Sequence, residues 1–224
     1  MEGVPYFISV EEALNIVKRT PLPRRLEEVK LNDSHGRILA EDLASKVDDP
    51  PFDNSSMDGF ACKHEPDANY PKTYPIQGIV PAAGEVNERV LEPNNAYRIM
   101  TGAPLPKGAD SILQIERCTI DENDNTVTLL EAPKPHFVRK QGENLKQGTV
   151  SLKAGSVLTP SRVGLCATMG YPTVPVIQPL RIAVLSTGDE LKQPGEDLVL
   201  GEVYESNSYG LAGLVRWMGH EAIQ

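Results

Sequence analysis

The segment Ser186-Thr187-Gly188-Asp189-Glu190 carries the densest set of ligand-binding groups in the chain. Ser186, Thr187 and the backbone around Gly188 can donate hydrogen bonds to phosphate oxygens. Asp189 and Glu190 would repel a bare phosphate, unless a divalent cation such as Mg²⁺ lies between carboxylate and phosphate. The plainer structural alternative is that both acids cap a helical turn. Asn207 and Ser208, at the mouth of a later helix, could hold a second polar or phosphate group on free N–H groups. Capping by Ser206 or Ser208 explains the same residues without a ligand.

Three further segments combine small residues with charge. Residues 53–61, DNSSMDGFA, crowd two acids and small polar groups behind a double proline. Asx-turn chemistry accounts for Asp53 and Asn54 but leaves Asp58 without a local role. Residues 101–110, TGAPLPKGAD, would let backbone approach a ligand closely, or would form a rigid turn between strands. Residues 139–144, RKQGEN, set cations on a turn and could contact an anion or form a solvated corner. His35, His64, His136 and His220 have no metal-ligand spacing, and neither a nucleophile elbow nor a phosphate-cradling P-loop is present. A single glycine follows the Ile182 strand, so a dinucleotide fingerprint is absent as well.

Composition narrows the partners. With 22 Lys+Arg against 31 Asp+Glu, the net charge of −9 offers no basic face for nucleic acid. Cys62, Cys118 and Cys166 are odd in number and far apart, which fits reduced thiols rather than a disulfide framework or a CxxC site. The start of the chain lacks a basic stretch leading into an apolar one, and no apolar run approaches membrane-spanning length. The expectation is a soluble, cytoplasmic protein with no membrane contact.

The elements that must position these residues are short. Ser9 and Glu12 have capping-box spacing, and Ala13, Leu14, Ile16 and Val17 follow in a helix that ends at Thr20-Pro21-Leu22-Pro23. A second amphipathic segment runs from Arg37 to Leu43. Strand-like runs then follow at residues 60–62, 74–76, 96–100, 111–115 and 126–130, separated by turn residues, which reads as a mostly β domain. Residues 121–125 read as a hairpin tip rather than a calcium loop. A strand pair is expected around residues 150–152 and 156–158, and Pro160 opens a helix that stops at Gly170. Residues 182–185 form a continuous apolar run, the pattern of a parallel strand covered on both faces. A helix opens at Ser206-Asn207-Ser208, with Leu211, Leu214, Val215 and Met218 on its apolar face, and residues 221–223 begin another strand. One strand and one helix cannot bury each other's faces, so this last portion reads as part of a larger α/β domain.

Taken in order, DNSSMDGFA (53–61), IMTGAPLPKGAD (99–110), VRKQGEN (138–144), IAVLSTGDEL (182–191) and YESNSYGL (204–211) resemble the molybdopterin molybdenumtransferases, the family of bacterial MoeA and the gephyrin E domain. The resemblance covers essentially the whole chain. It implies a multi-domain α+β and α/β architecture: an elongated mixed domain (1–46 plus 143–178), an inserted mostly-β domain (47–142), and the start of a truncated doubly wound molybdopterin-binding domain (179–224). The implied activity is Mg²⁺-dependent insertion of molybdate into adenylylated molybdopterin, with release of AMP. The implied subunits are homodimeric, with the molybdopterin adenylyltransferase as a further partner and an active cleft between one subunit's β domain and the other's α/β domain. By that likeness Asp58, Thr101, Arg139 and Glu143 face the cleft. Asp189 and Glu190 serve metal and phosphate, with Glu190 also catalytic. Ser186, Thr187, Gly188, Ser206 and Asn207 line the pterin and nucleotide pocket.

Two departures accompany the likeness. Asn144 stands where the family usually has an aspartate, so a role in metal binding or proton transfer there is in doubt. The chain also ends near the middle of a typical member, so the later catalytic loops and the C-terminal β domain are expected to be missing, and this piece is not expected to complete the reaction. The rival reading is a non-catalytic dimeric scaffold of the gephyrin E-domain type. A generic nucleotide-binding α/β protein is a third, but it leaves the first 180 residues unexplained.

Overall fold

The structure, a computed structural model, describes residues 7–22, 24–83 and 89–224. Residues 1–5 and Pro23, which entered the sequence reading, lie outside them. In chain order the first half contains α1 (Val10–Arg19), β1 (Leu26–Lys30), β2 (Leu43–Ala44), β3 (Asn54–Ser55), β4 (Gly59–Cys62), β5 (Lys72–Val80), β6 (Ala96–Ile99) and β7 (Ser111–Gln114). The second half contains β8 (Cys118–Asp121), β9 (Thr126–Leu129), β10 (Val138–Arg139), β11 (Val150–Leu152), α2 (Pro160–Thr168), β12 (Thr173–Ile177), β13 (Arg181–Ala183), β14 (Leu191–Lys192), β15 (Val203–Tyr204), α3 (Asn207–Trp217) and β16 (Glu221–Ile223). Two compact units result. One comprises Met1–Glu41, Ala154–Val163 and Pro172–Gln224; the other comprises Asp42–Lys153 and Gly164–Tyr171.

The second unit is built on a six-stranded sheet of order β7-β4-β6-β5-β9-β8, antiparallel except for the β5–β6 pair. Side chains alternate across a strand, so β4 feeds two cores. Ala61 packs with Tyr97, Ile99, Ile112 and Val138 on one side, while Phe60 and Cys62 pack with Tyr74, Leu113, Val127 and Leu129 on the other. As a central strand, β4 is buried along its whole length. Gly59 permits this close approach, because a Cβ there would overlap the Leu113 carbonyl oxygen and come within 3.0 Å of Gln114 Cα. The strand-like runs of the sequence all lie on this sheet. Residues 121–125 are the β8–β9 hairpin tip, where the Asn123 and Asp124 N–H groups donate to Asp121 Oδ1 (3.0 and 3.3 Å).

In the first unit α1 has the expected capping box, with Glu12 N–H donating to Ser9 Oγ (3.1 Å) and Ser9 N–H to Glu12 Oε2 (2.9 Å). β1 pairs antiparallel with β12 around a core that includes Leu39, Leu158, Val174 and Val176. β13 pairs parallel with β16, and β14 parallel with β15.

Four expectations change. The amphipathic segment from Arg37 is extended, because Ile38 and Leu39 bridge Val157 and Val176. Residues 150–152 and 156–158 do not pair with each other: β11 pairs with β2, and Val157 with Ile38. The run at residues 182–185 is not covered on both faces, since only β16 flanks β13 and Leu185 is 84% exposed. Helix α3 buries only Ala212, while Leu211, Leu214 and Met218 face solvent.

Gly59→Ala should destabilise the second unit by about 3 kcal/mol or more, since backbone must move to relieve the overlap. Chemical denaturation checks this; an unchanged midpoint would mean that β4 and β7 are not packed as described.

Candidate functional site

Three of the sequence segments singled out above meet on the two-residue strand β3. On one side β3 pairs antiparallel with β10, Ser55 opposite Val138 and Asn54 opposite Arg139. On the other, Gly102 N–H donates to the Ser55 carbonyl (2.8 Å), Ser55 N–H to the Ala103 carbonyl (3.1 Å) and Leu105 N–H to the Asp53 carbonyl (2.9 Å). Gly102 turns the chain with φ +80°, a conformation open to glycine and strained for other residues. Residues 48 to 90 positions apart are thereby held within one backbone ladder.

Asp58 acquires the role that local chemistry did not give it. Its Oδ1 accepts from Thr101 N–H (2.6 Å) and Thr101 Oγ–H (2.9 Å). The backbone bond, then the hydroxyl, then the Arg98 cation hold this exposed carboxyl below its ordinary range. Arg139 Nε pairs with Glu143 Oε1 (2.9 Å), and Glu143 Oε2 accepts from Lys140 N–H (2.9 Å). Lys140 N–H and then Arg139 keep Glu143 ionised. Burial pushes the Asp53 carboxyl up, but Lys140 Nζ (2.8 Å) and Gln141 N–H (2.8 Å) more than offset it. The amide at Asn144 donates from Nδ2 to Asp49 Oδ2 (2.9 Å), so an aspartate at 144 would set two carboxylates in contact. The departure at this position therefore matches its neighbour in this chain.

The remaining residues lie in the first unit. The β14–β15 pair is tied to the loop at residues 186–190, with Val203 N–H donating to the Glu190 carbonyl (2.9 Å) and Glu205 N–H to the Lys192 carbonyl (2.8 Å). Ser186 and Gly188 line a hollow of about 510 Å³ together with Gln193, Glu205, Ser208 and Tyr209. Thr187, Asp189, Glu190, Ser206 and Asn207 are exposed but do not line it. The Glu190 carboxylate folds over Gly188, where an added Cβ would lie 2.6 Å from Oε2. Ser206 and Ser208 do not cap α3 with their hydroxyls. Glu205 does so instead: its buried carboxylate accepts from Ser208 N–H (2.7 Å), Ser208 Oγ (2.5 Å) and Ser186 Oγ (2.8 Å). The Ser208 hydroxyl, then its N–H, hold Glu205 below the usual carboxylate range.

Among the described residues no three His, Cys, Asp or Glu side chains converge on a metal position. Asp189 and Glu190 supply two exposed carboxylates, which fits a hydrated Mg²⁺ completed by substrate phosphate and does not fit a cage made by protein alone. The thiols are not nucleophiles, since burial pushes Cys62 and Cys118 up to about 12. Sequence reasoning missed Glu205, Arg98 and Lys140. An acid immediately before Ser-Asn-Ser at a helix start was a visible sign for Glu205; Arg98 and Lys140 gave none. Buried Asn54 Oδ1 and Arg98 Nε have no protein partner, leaving polar capacity beside this ladder.

Two predictions follow from these contacts. Asn144→Asp should lower stability by about 1 kcal/mol near neutral pH, through a lost charge-assisted bond and a new like-charge contact. Adding Asp49→Asn should restore it; equal stability of the single variant and the parent would refute the contact. Thr101→Val should raise the Asp58 titration midpoint towards the ordinary carboxylate value, read by side-chain carboxyl NMR. Because folding holds Asp58 low, the hydroxyl's stabilisation is present above the unfolded-state pKa and is lost as pH falls through the folded one.

Residues 8–170 match the family model for the MoeA N-terminal region (domain I and II). A molybdopterin molybdenumtransferase of Haemophilus influenzae is 36% identical over 209 residues, covering 93% of this chain and 51% of that protein. Molybdopterin molybdenumtransferase 2 of Mycobacterium tuberculosis is 37% identical over 215 residues, 94% of this chain and 53% of its own. The crystal structure of the Pyrococcus horikoshii molybdopterin biosynthesis MoeA protein superposes with a TM-score of 0.80 at 31% identity, over 96% of this chain and 56% of that one. The chain thus spans about half the length of the relatives it matches. No helix among the described residues is long and apolar enough to cross a membrane. With its β3 ladder, its strand-end loop and the match over residues 8–170, the chain belongs to the MoeA family of molybdenum-cofactor biosynthesis proteins.

Proposed function

We propose that this chain is part of a molybdopterin molybdenumtransferase that inserts molybdate into adenylylated molybdopterin and releases AMP. The observation that carries the reading is the β3 ladder, which brings Asp58, Thr101, Arg139 and Glu143 onto one scaffold from three distant segments. Asp58 is held ionised by Thr101, so it enters the reaction as a proton acceptor and as an acceptor of substrate hydrogen bonds. Arg139 and Lys140 offset the acids around them and orient an anionic substrate. Ser186, Thr187 and the Gly188 backbone donate to the substrate's polar groups, and Ser206 and Asn207 do the same at the mouth of α3. Asp189 and Glu190 would hold Mg²⁺, which supplies charge neutralisation at the adenylyl phosphate. The three-part domain division given by the sequence, a homodimer, the adenylyltransferase as supplier of substrate and a cytoplasmic location with reduced thiols belong to the same reading.

The test is molybdenum insertion from molybdate, adenylylated molybdopterin and Mg²⁺, using the full polypeptide encoded by the gene. Asp58→Ala and Glu190→Ala should each lower the rate by about 10²-fold or more. Both side chains are exposed, so the thermal midpoint should hardly move. Normal cofactor yield from both variants would overturn the assignment.

A further inference from the structure

Within the first unit an apolar helix face and an apolar groove both stand open. Val10, Ala13, Leu14 and Val17 recur at the i, i+3, i+4, i+7 spacing of one helix face. Yet α1 buries no residue, and Val10, Leu14 and Val17 are 78%, 51% and 70% exposed. A groove of about 490 Å³ is walled by Leu22, Ile38, Leu180, Trp217 and Met218, with Arg24, His35 and Arg37 at its rim. Trp217 there is 85% exposed.

We infer that α1 of one copy of this chain docks into this groove of a second copy, reciprocally about a twofold axis. The helix does not fill its own groove. Thr20 leaves α1 extended (φ −71°, ψ 118°), and Pro21 and Pro23 stiffen the short connection to β1. Leu22, in that connection, is itself one wall of the groove. Charge sets the occupant and its direction. The first turn of α1 carries Glu11 and Glu12 and its last turn Lys18 and Arg19. The groove offers Arg24 and His35, and the adjoining hollow of about 570 Å³, which shares Gln178, Gly219 and His220 with it, adds Glu27 and Glu221. A helix laid with its acidic end at Arg24 and His35 brings its basic end towards Glu27 and Glu221. Exchange of one helix between identical copies closes the assembly at a dimer. This deepens the dimer of the reading above by naming its surface.

Trp217 is the sole tryptophan, so its fluorescence reports on the groove. Light scattering on this chain should give twice the monomer mass, with Trp217 emission blue-shifted in the dimer and moving to the red on dilution. Leu14→Glu, on the exposed face of α1, should raise the dimer dissociation constant tenfold or more while circular dichroism stays unchanged. Glu11→Arg should weaken the dimer, and Glu11→Arg with Arg24→Glu should restore it. A monomer at every concentration would overturn both the groove and the dimer, whether Trp217 is exposed or shielded by its own helix. A dimer with a red-emitting Trp217, or one indifferent to Leu14→Glu, would overturn the groove alone; neither outcome touches the role of Asp58.

Discussion

The two-residue strand β3 is the constraint on which the site in the second unit depends. Asn54 and Ser55 supply backbone donors and acceptors to β10 on one edge and to the turn at residues 102–104 on the other. Each backbone group so used is satisfied within the protein, which fixes both neighbours to the same strand. Asp58 lies three residues beyond β3, and its bonds to Thr101 close the arrangement with side-chain atoms. The large sheet anchors the other end, since β4 follows Asp58 directly and is buried on both faces. Rigidity in the core thus becomes position at the surface.

Electrostatically, the site acids are held by donors rather than by burial. Asp58, Glu143 and Glu205 all accept from backbone N–H groups, and each keeps its charge for that reason. In a chain of net charge −9 this matters. Carboxylates already committed to protein donors repel an anionic ligand less than free ones would. Arg98, Arg139 and Lys140 stand among them to offset the field. The Asn144–Asp49 contact follows the same logic, with an amide donor set where a second carboxylate would collide with the first.

The first unit shows a different economy of contacts. Its parallel pairs, β13–β16 and β14–β15, are narrow, and α3 leaves Leu211, Leu214 and Trp217 in solvent. Burial of a parallel strand needs layers on both faces, and β13 has a neighbour on one edge only. Its polar loop is ordered instead by Glu205, which ties Ser186 to the start of α3 through three hydrogen bonds.

Much of this was legible in the residues alone. The capping box of α1, Pro160 at the start of α2 and the strand runs of the large sheet are local signals, read from spacing and turn chemistry. The ordered motifs also marked which segments carry the site. What spacing could not supply was pairing. Nothing within residues 150–158 says that β11 joins β2 and Val157 joins Ile38, because strand partners are chosen by packing over long separations. Nor could local pattern give Asp58 its partner, since Thr101 lies 43 positions away and meets it only when β3 is laced. The apolar face of α3 was identified correctly as a pattern and wrongly as buried: periodicity records which side of a helix is apolar, and only tertiary structure decides what, if anything, covers it.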